Sequence, residues 1–266
     1  MSKRKLACAR YLAGGLLSLT GLLASVPAHA DLTDEIQVYD DSINHRGRLG
    51  LELHLNSTLD GRSTPDYPGE IPPHRGFRTT MEWSYGITDT LEAGLYLPFL
   101  HDAAGTNYFA GPRFRLKWVP LRPAEGGSGP FFGLNMELSA VNQRLEQGRP
   151  AVELRPIVGY RSPLWLVAFN PVVDATFRPR YGSSHADFAP ALKIARTVWN
   201  GTALGVEYYN NFGRIGHFDP ARKQSQLLFA AVDVSQGPIP FNFGIGRGLN
   251  GSSDKWTVKA ILEVPI

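Results

Sequence analysis

The last twelve residues of the chain, 255–266, read KWTVKAILEVPI and alternate between polar and apolar side chains. The apolar set is Trp256, Val258, Ala260, Leu262, Val264 and Ile266, and the intervening residues include Lys255, Lys259 and Glu263. Successive side chains of a β-strand point to opposite faces. The stretch therefore predicts a strand with one face in an apolar environment and the other beside polar groups.

The same alternation recurs upstream, between short segments rich in Gly, Pro and Asp. The predicted strands are 47–57, 76–87, 90–100, 106–119, 130–142, 150–161, 163–177, 186–198, 201–213, 223–235, 238–247 and 254–265. Most match the roughly 9–11 residues with which a tilted strand crosses a bilayer. Short and long connections alternate, as they do in outer-membrane barrels. The sequence thus predicts an all-β, antiparallel transmembrane barrel of about 12 strands, with short periplasmic turns and longer outer loops.

Residues 1–30 have the features of a cleaved signal peptide. Basic residues precede an apolar stretch at 11–26, and Ala28-His29-Ala30 is typical of a cleavage site. The single cysteine, Cys8, lies in this leader, so no disulfide or cysteine metal ligand is expected after cleavage. We expect 31–46 to be a periplasmic segment or a short plug, and 47–266 to form the barrel.

Charge and hydropathy exclude two classes of protein. The chain has 27 Lys and Arg against 24 Asp and Glu, and four of the basic residues lie in the predicted leader. The remainder is close to neutral, which gives no support to a nucleic-acid partner. No apolar run after the leader reaches the roughly 18 residues of a membrane helix, so a helical inner-membrane protein is excluded.

Tryptophan placement favours a membrane barrel over a water-soluble β-sandwich. Four tryptophans lie near predicted periplasmic strand ends and one near an outer end: Trp83, Trp118, Trp165, Trp199 and Trp256. Tryptophan is enriched at membrane–water interfaces. We therefore predict an interfacial aromatic belt in contact with membrane lipids and lipopolysaccharide.

The polar strand faces carry charges of both signs. The predicted pore-lining residues are Glu52, Arg78, Glu82, Glu92, Arg113, Arg115, Lys117, Glu137, Glu153, Arg155, Glu207 and Lys259. These charges are interpreted either as a narrow selective pore or as a network of salt bridges that fills the interior. The Arg113, Arg115 and Lys117 series would guide an anion in the first case. In the second it is neutralised by Glu82 and Glu92.

The predicted outer loops contain candidate metal ligands. His74, His101, His185 and His217 lie at or in those loops, and Asp102, Asp187 and Asp219 lie near three of them. Imidazole with carboxylate suits a divalent transition metal. These histidines form no tight pair in sequence, so we predict no metal site and no cofactor.

An enzyme is the rival class, because a serine and a histidine on the outer wall would suit lipid hydrolysis. His54 instead shares the predicted inner face with Glu52. A Gly-x-Ser-x-Gly motif is absent, and the glycine-rich residues 244–248 open no helix. We therefore predict that the protein is not an enzyme.

One hairpin resembles a known family. Residues 82–98, EWSYGITDTLEAGLYLP, resemble the Tyr-Gly-aliphatic-Thr-Asp hairpin of outer-membrane proteins grouped with the meta-pathway phenol-degradation family, and 187–190 and 243–249 are similar to barrel segments of that group. The resemblance implies an outer-membrane barrel that moves small, hydrophobic or aromatic molecules, and it assigns no site residue. The chain departs from a common outer-membrane ending, because Ile266 replaces a terminal aromatic residue.

These observations predict passive passage of a small molecule across a Gram-negative outer membrane. The alternatives are a non-conducting barrel that is structural or binds a partner, and a lipid-active hydrolase. Expected partners are membrane lipids, lipopolysaccharide, a small-molecule solute and the barrel-assembly machinery, with no nucleic acid.

Overall fold

A computed structural model describes residues 35–145, 150–177 and 184–266. The predicted leader and residues 31–34 lie outside the described residues. The described residues include no helix long and apolar enough to cross a membrane. The strand segments are β1 (Leu49–Asp60), β2 (Phe77–Gly86), β3 (Leu91–His101), β4 (Asn107–Phe109), β5 (Arg113–Leu121), β6 (Gly129–Ser139), β7 (Ala151–Arg161), β8 (Trp165–Asn170), β9 (Val173–Thr176), β10 (His185–Phe188), β11 (Ala191–Trp199), β12 (Thr202–Asn211), β13 (Ser225–Val234), β14 (Phe241–Gly248) and β15 (Trp256–Val264).

The sheet closes on itself as a barrel of antiparallel strands. β1 pairs with β2 on one side and with β15 on the other, and β7 pairs with both β8 and β9 to complete the ring. Every pairing between the named strands is antiparallel, and the first and last wall strands, β1 and β15, pair with each other, so neither is left as a sheet edge. The fifteen segments correspond to twelve wall strands, which confirms the predicted twelve-stranded antiparallel barrel.

Three wall strands that were predicted as continuous are interrupted. The prediction 106–119 divides into β4 and β5, 163–177 into β8 and β9, and 186–198 into β10 and β11. The breaks fall at Pro112, Pro171 and Pro190. Proline has no N–H to donate to a neighbouring strand, so it interrupts the pairing. The alternation of polar and apolar residues continues past it and therefore did not predict these breaks.

The inner and outer surfaces of the wall differ in polarity, opposite to the pattern of a soluble protein. On β15, Thr257 and Lys259 are buried and face the interior, whereas Trp256 faces outward. The outer surface carries large exposed apolar residues around the ring, including Phe114, Leu116, Leu138, Phe169, Leu204 and Ile245. An apolar outer band with a polar interior is the arrangement of transmembrane barrels.

The two ends of the barrel have different connections. The end with residues 87–90, 122–128, 162–164, 200–201 and 235–240 is called the turn end, and the opposite end, with residues 61–76, 102–112, 212–224 and 249–255, is called the loop end. Trp83, Trp118, Trp165 and Trp199 lie toward the turn end of their strands, and Trp256 lies at the loop end beside Asp60.

Residues 35–46, called the luminal segment, run inside the barrel without joining the sheet. The segment leaves β1 at the turn end, where Gly47 N donates to Gly86 O at 2.7 Å. Ile36, near its other end, packs against Leu227 and Phe229 on the inner wall. The Phe229 ring occupies the space of an absent side chain, because a Cβ at Gly246 would lie 2.4 Å from it.

Candidate functional site

Tyr39 occupies the middle of the lumen and is held by its backbone. Its N–H donates to Asn170 Oδ1 at 2.7 Å, and its carbonyl accepts from Asn170 Nδ2 at 3.0 Å. Asn170 ends β8, just before the Pro171 interruption, and is fully buried. A side-chain amide that satisfies one donor and one acceptor reproduces the pairing of a neighbouring strand. Asn170 thus substitutes for the strand partner that the luminal segment lacks.

The Tyr39 side chain lies among charged residues. Its hydroxyl is 2.5 Å from the Tyr96 hydroxyl and donates to Glu137 Oε1 at 3.3 Å. The Arg155 guanidinium lies 4.3 Å from the centre of the Tyr39 ring and the Lys117 ammonium 4.8 Å from it. Cation–π attraction is strongest where both groups are desolvated. The Tyr39 ring therefore contacts two buried cations, and its hydroxyl binds a carboxylate.

Other parts of the wall bind the rest of the luminal segment. Arg155 Nη1 donates to Gln37 O at 3.1 Å, and Lys259 Nζ donates to Ile36 O at 2.8 Å. Nearer the turn end, Asn44 N donates to Glu92 Oε2 at 2.8 Å. Arg155, Lys259 and Glu92 belong to β7, β15 and β3. Contacts from separate sides of the ring place the segment across the lumen and not along one wall.

Two adjacent aspartates anchor the segment at the turn end. Arg161 Nε donates to Asp41 Oδ1 at 2.7 Å, and Arg161 Nη2 donates to Asp40 Oδ2 at 2.9 Å. A planar guanidinium presents several donors in a fixed geometry that suits carboxylates. Val38 adds an apolar contact, packing in a cluster with Phe131 and Ile157.

The first charge network lies in the lumen between β1, β2, β3 and β5. Arg115 Nη2 is 2.6 Å from both Glu82 Oε1 and Glu92 Oε1. Two residues from Arg115 on β5, Arg113 Nη1 lies 3.3 Å from Oε2 of Glu137, which is on β6. Buried charges are tolerated when they are paired and hydrogen-bonded. The Arg113 and Arg115 members of the basic series are thus neutralised by carboxylates, the second of the two interpretations of this series.

The second network lies on the opposite side of the luminal segment. Glu207 on β12 accepts from Lys259 Nζ at 2.5 Å and from the Tyr209 hydroxyl at 2.6 Å. Lys193 Nζ lies 3.4 Å from Glu207 and 2.7 Å from Asp233. Glu207 and Lys259 are almost fully buried. The network ties β11, β12, β13 and β15 together through side chains.

A cavity of about 840 Å³ lies between the luminal segment and the loop end. Glu35 and Ile36 form part of its base. Five of the twelve predicted pore-lining residues contribute to its wall: Arg78, Arg113, Glu137, Glu153 and Arg155. The other seven lie outside the lining of this cavity, on inward positions of their strands: Glu52, Glu82, Glu92, Arg115, Lys117, Glu207 and Lys259.

The loop between β1 and β2 folds over the cavity, and residues 61–73 are called the cover loop. Arg62 binds Glu70 in a bidentate manner, with Nη2–Oε1 at 2.6 Å and Nη1–Oε2 at 2.8 Å. Burial disfavours the charged guanidinium, but the hydrogen bonds and charge of Glu70 outweigh burial and raise the pKa of Arg62. Asp254 accepts from Arg62 N at 3.2 Å and ties the cover loop to the neighbouring loop, residues 249–255.

The four outer-loop histidines remain apart from one another. His74 lies 3.9 Å from Asp60, His185 lies 3.5 Å from Asp187, and His101 Nδ1 lies 2.8 Å from Asn107 Oδ1. His217 N donates to Arg214 O in a turn. Over the described ranges, these residues form no group of three or more metal-ligating side chains.

Sequence reasoning missed Tyr39, Asn170 and Asp41 as functional residues. Their contacts join parts of the chain far apart in sequence, since Tyr39 and Asn170 are 131 positions apart. The one local signal was the mixture of apolar and acidic residues in 36–43, which has no strand period. His54, the histidine weighed for the catalytic alternative, is fully buried and faces the lumen and not the outer wall.

Comparison with solved structures agrees with the architecture. The chain is similar to the COG4313 outer membrane channel from Pseudomonas putida F1, with 15% identity, a TM-score of 0.59, and coverage of 86% of this chain and 99% of that one. Weaker similarity is found to LpxR from Salmonella typhimurium (9% identity, TM-score 0.43, 82% and 100% coverage) and to the outer membrane protein OprD from Pseudomonas aeruginosa (13% identity, TM-score 0.36, 82% and 65% coverage).

No protein-family model and no curated protein matches the sequence. At these levels of identity, the structural likeness concerns the fold alone. Membership of the meta-pathway phenol-degradation family therefore stays a prediction. What the geometry and the comparison establish together is that this chain has the twelve-stranded fold of an outer-membrane channel barrel.

Proposed function

We propose that this protein is an outer-membrane channel for passive passage of a small molecule, and that the luminal segment is its gate. The single observation that carries the proposal is the division of one lumen into a cavity at the loop end and a region crossed by residues 35–46. A solute that enters the cavity from the loop end meets Glu35 and Ile36 before the rest of the luminal segment. Passage to the turn end then requires the luminal segment to move.

The gate is separable from the wall. Residues 35–46 contribute no strand to the sheet, and the wall strands are paired with one another independently of them. The contacts that hold the segment are hydrogen bonds, ion pairs and small apolar clusters. Individual hydrogen bonds contribute only about 0.5–1.5 kcal/mol net. The segment can therefore shift or withdraw while the barrel stays closed on itself.

The lining of the cavity favours a solute that has both charged and apolar groups. Its volume of about 840 Å³ lies within the roughly 300–1,000 Å³ of small-molecule sites. Arg78, Arg113 and Glu153 line it together with Ile71 and Leu227. A purely apolar solute would displace water from these charged groups without replacing its hydrogen bonds. We therefore infer a small amphiphilic solute, aromatic compounds with a charged substituent among them.

The outer surface supports the proposed location and partners. Large apolar side chains face outward around the ring, and the tryptophans lie toward strand ends. This surface supports placement in a Gram-negative outer membrane, in contact with lipids and lipopolysaccharide. Insertion by the barrel-assembly machinery is part of the same proposal.

The test is single-channel conductance of refolded residues 31–266 and of a variant that lacks residues 31–44. We expect small, intermittent steps from the longer protein and larger, persistent steps from the variant, because the deletion opens the path from the cavity to the turn end. Asn142→Ala, a substitution in an outer loop, serves as the control and should behave as the parent. Silence from a folded deletion variant would refute the channel.

A second candidate, the non-conducting barrel, is favoured by the close fit of the luminal segment. Tyr39 is 2% exposed, and its backbone and hydroxyl are all hydrogen-bonded. If the parent protein is always silent while the deletion variant conducts, the barrel is closed in its resting state. Swelling of proteoliposomes in candidate solutes then decides whether a solute displaces the segment.

A further inference from the structure

Three potential metal ligands meet in the lumen at a place separate from the cavity and the outer-loop histidines. Within the described parts of the chain, Glu52, His54 and Glu82 are the one group whose ligating atoms all lie within 4.8 Å of one another. His54 Nε2 is 3.0 Å from Glu82 Oε2 and 3.7 Å from Glu52 Oε2. The backbone register explains the meeting: Glu52 lies directly opposite Glu82, and His54 is two residues along the same face.

The spacing suits tetrahedral coordination. Zinc binds imidazole nitrogen and carboxylate oxygen at about 2.0–2.1 Å, which separates neighbouring tetrahedral ligands by about 3.4 Å. The two distances from His54 Nε2, 3.0 Å and 3.7 Å, lie on either side of this value. Small side-chain rotations would therefore bring all three groups onto one ion without a change in strand register.

The local charge pattern also calls for a cation between the strands. Glu52 lies opposite Glu82 on β2 and opposite Glu263 on β15. Like charges directly opposite each other on neighbouring strands are destabilising. Arg115 balances Glu82 by binding its Oε1 at 2.6 Å, which leaves Oε2 turned toward His54. Glu52 Oε2 lies 3.7 Å from the same imidazole nitrogen, His54 Nε2.

The cluster is both ordered and accessible. His54 is fully buried, and its ring packs edge-on to Tyr96 with the centroids 6.4 Å apart. The Glu82 side chain is buried as well, whereas the Glu52 side chain is 32% exposed. Glu263, across from Glu52 and three residues from the end of the chain, is exposed. Water at the turn end of the lumen therefore reaches Glu52, and an ion has a route to the two buried ligands.

We propose that Glu52, His54 and Glu82 form a binding site for a divalent transition-metal ion such as Zn²⁺. One imidazole nitrogen with two carboxylate oxygens suits zinc and its neighbours, whereas Mg²⁺ and Ca²⁺ prefer all-oxygen sites. A bound ion would link β1 to β2 inside the lumen and separate the opposed glutamates. The proposal does not depend on whether the barrel conducts.

The experiment measures zinc retained by the refolded barrel after dialysis, together with the visible absorption of Co²⁺ used as a spectroscopic probe. Glu52→Gln removes the partly exposed ligand with little effect on packing, and His54→Gln removes the buried one. His185→Gln is the matched control, since His185 also lies beside a carboxylate, Asp187, at 3.5 Å. Heat-modifiable migration on denaturing gels verifies that each variant is a folded barrel.

We expect about one Zn²⁺ per chain and intense tetrahedral Co²⁺ bands in the parent and in His185→Gln. Both signals should be lost in folded Glu52→Gln, and in His54→Gln where that variant folds. The proposal is overturned if the parent retains no Zn²⁺, if folded Glu52→Gln binds as the parent does, or if His185→Gln abolishes binding. A tenfold excess of Mg²⁺ over Zn²⁺ should not displace the ion; displacement would equally count against the assignment.

Discussion

Asn170 holds the backbone of Tyr39 with both ends of its side-chain amide, at 2.7 and 3.0 Å. This relationship joins the end of a wall strand to the middle of a segment that has no strand partner of its own. Backbone donors and acceptors that are buried must be paired. The amide of Asn170 meets that requirement inside the lumen, so it helps to hold the luminal segment there.

Replacing Asn170 should therefore loosen the gate. Asn170→Ala leaves the Tyr39 N–H and C=O without these partners, and we expect a loss of about 1–3 kcal/mol from the bound position of the segment. Channel open probability in planar bilayers should rise, while the barrel keeps its heat-modifiable migration. Asn142→Ala is the control, because it removes an amide in an outer loop. An open probability equal to that of the parent would show that Asn170 does not hold the gate.

The hydroxyls of Tyr39 and Tyr96 should be energetically coupled. They lie 2.5 Å apart and both side chains are buried. Tyr39→Phe or Tyr96→Phe alone leaves one buried hydroxyl with a lost partner and should cost about 1–3 kcal/mol. The double variant should cost less than the sum of the two, since both polar groups are then absent. Denaturant unfolding of all four proteins in detergent measures the coupling, and strictly additive losses would contradict it.

The strands were predictable because their signal is local. Alternation with a period of two is present within each wall strand, and the residues of β15 illustrate it fully. The charges of the inner face could be recognised for the same reason, as Glu82, Arg115 and Lys259 show. Their partners could not be recognised, because pairing depends on which strands become neighbours around the ring.

For residues 31–46 the sequence left two alternatives open, a periplasmic segment or a short plug, and the contacts of the luminal segment could not be predicted from sequence patterns. Val38 packs against Phe131 and Ile157, Tyr39 binds Asn170 at a separation of 131 positions, and nothing in 35–46 repeats with a strand or helix period. Pro171 and Pro190 could be seen in the sequence, but whether a proline interrupts a strand depends on which neighbouring strand would have accepted the missing N–H. Long-range geometry, and not local preference, determines these features.

The cover loop should depend on the Arg62–Glu70 pair. Glu70 is 7% exposed and accepts two hydrogen bonds from the guanidinium. Arg62→Ala leaves a buried carboxylate without its cation, which is strongly destabilising. We expect the cover loop to open and to become sensitive to protease added outside intact cells. Arg222→Ala, at an exposed arginine of another loop, should leave the loop resistant. Equal resistance in both variants would mean that other contacts keep the loop closed.

The buried Glu207–Lys259 pair predicts an order of stabilities among variants of its two residues. Both side chains are 1% exposed, and Glu207 also lies 3.4 Å from Lys193. Glu207→Gln leaves Lys259 buried without its carboxylate, so we expect a loss of about 3–5 kcal/mol. Lys259→Met should cost less, because Glu207 keeps Lys193 and the Tyr209 hydroxyl.

Combining Glu207→Gln with Lys259→Met should recover most of the stability lost in Glu207→Gln, because replacing both members of a buried ion pair is often close to neutral. The exposed pair Lys255–Asp60, at 2.8 Å, provides the comparison. Lys255→Met should cost much less than Glu207→Gln, because exposed ion pairs contribute little to stability. Denaturant unfolding of the refolded barrels gives the order directly. A double variant less stable than Glu207→Gln would mean that Lys259 stabilises the barrel mainly through Ile36 O, to which its ammonium also donates, and thus through the luminal segment.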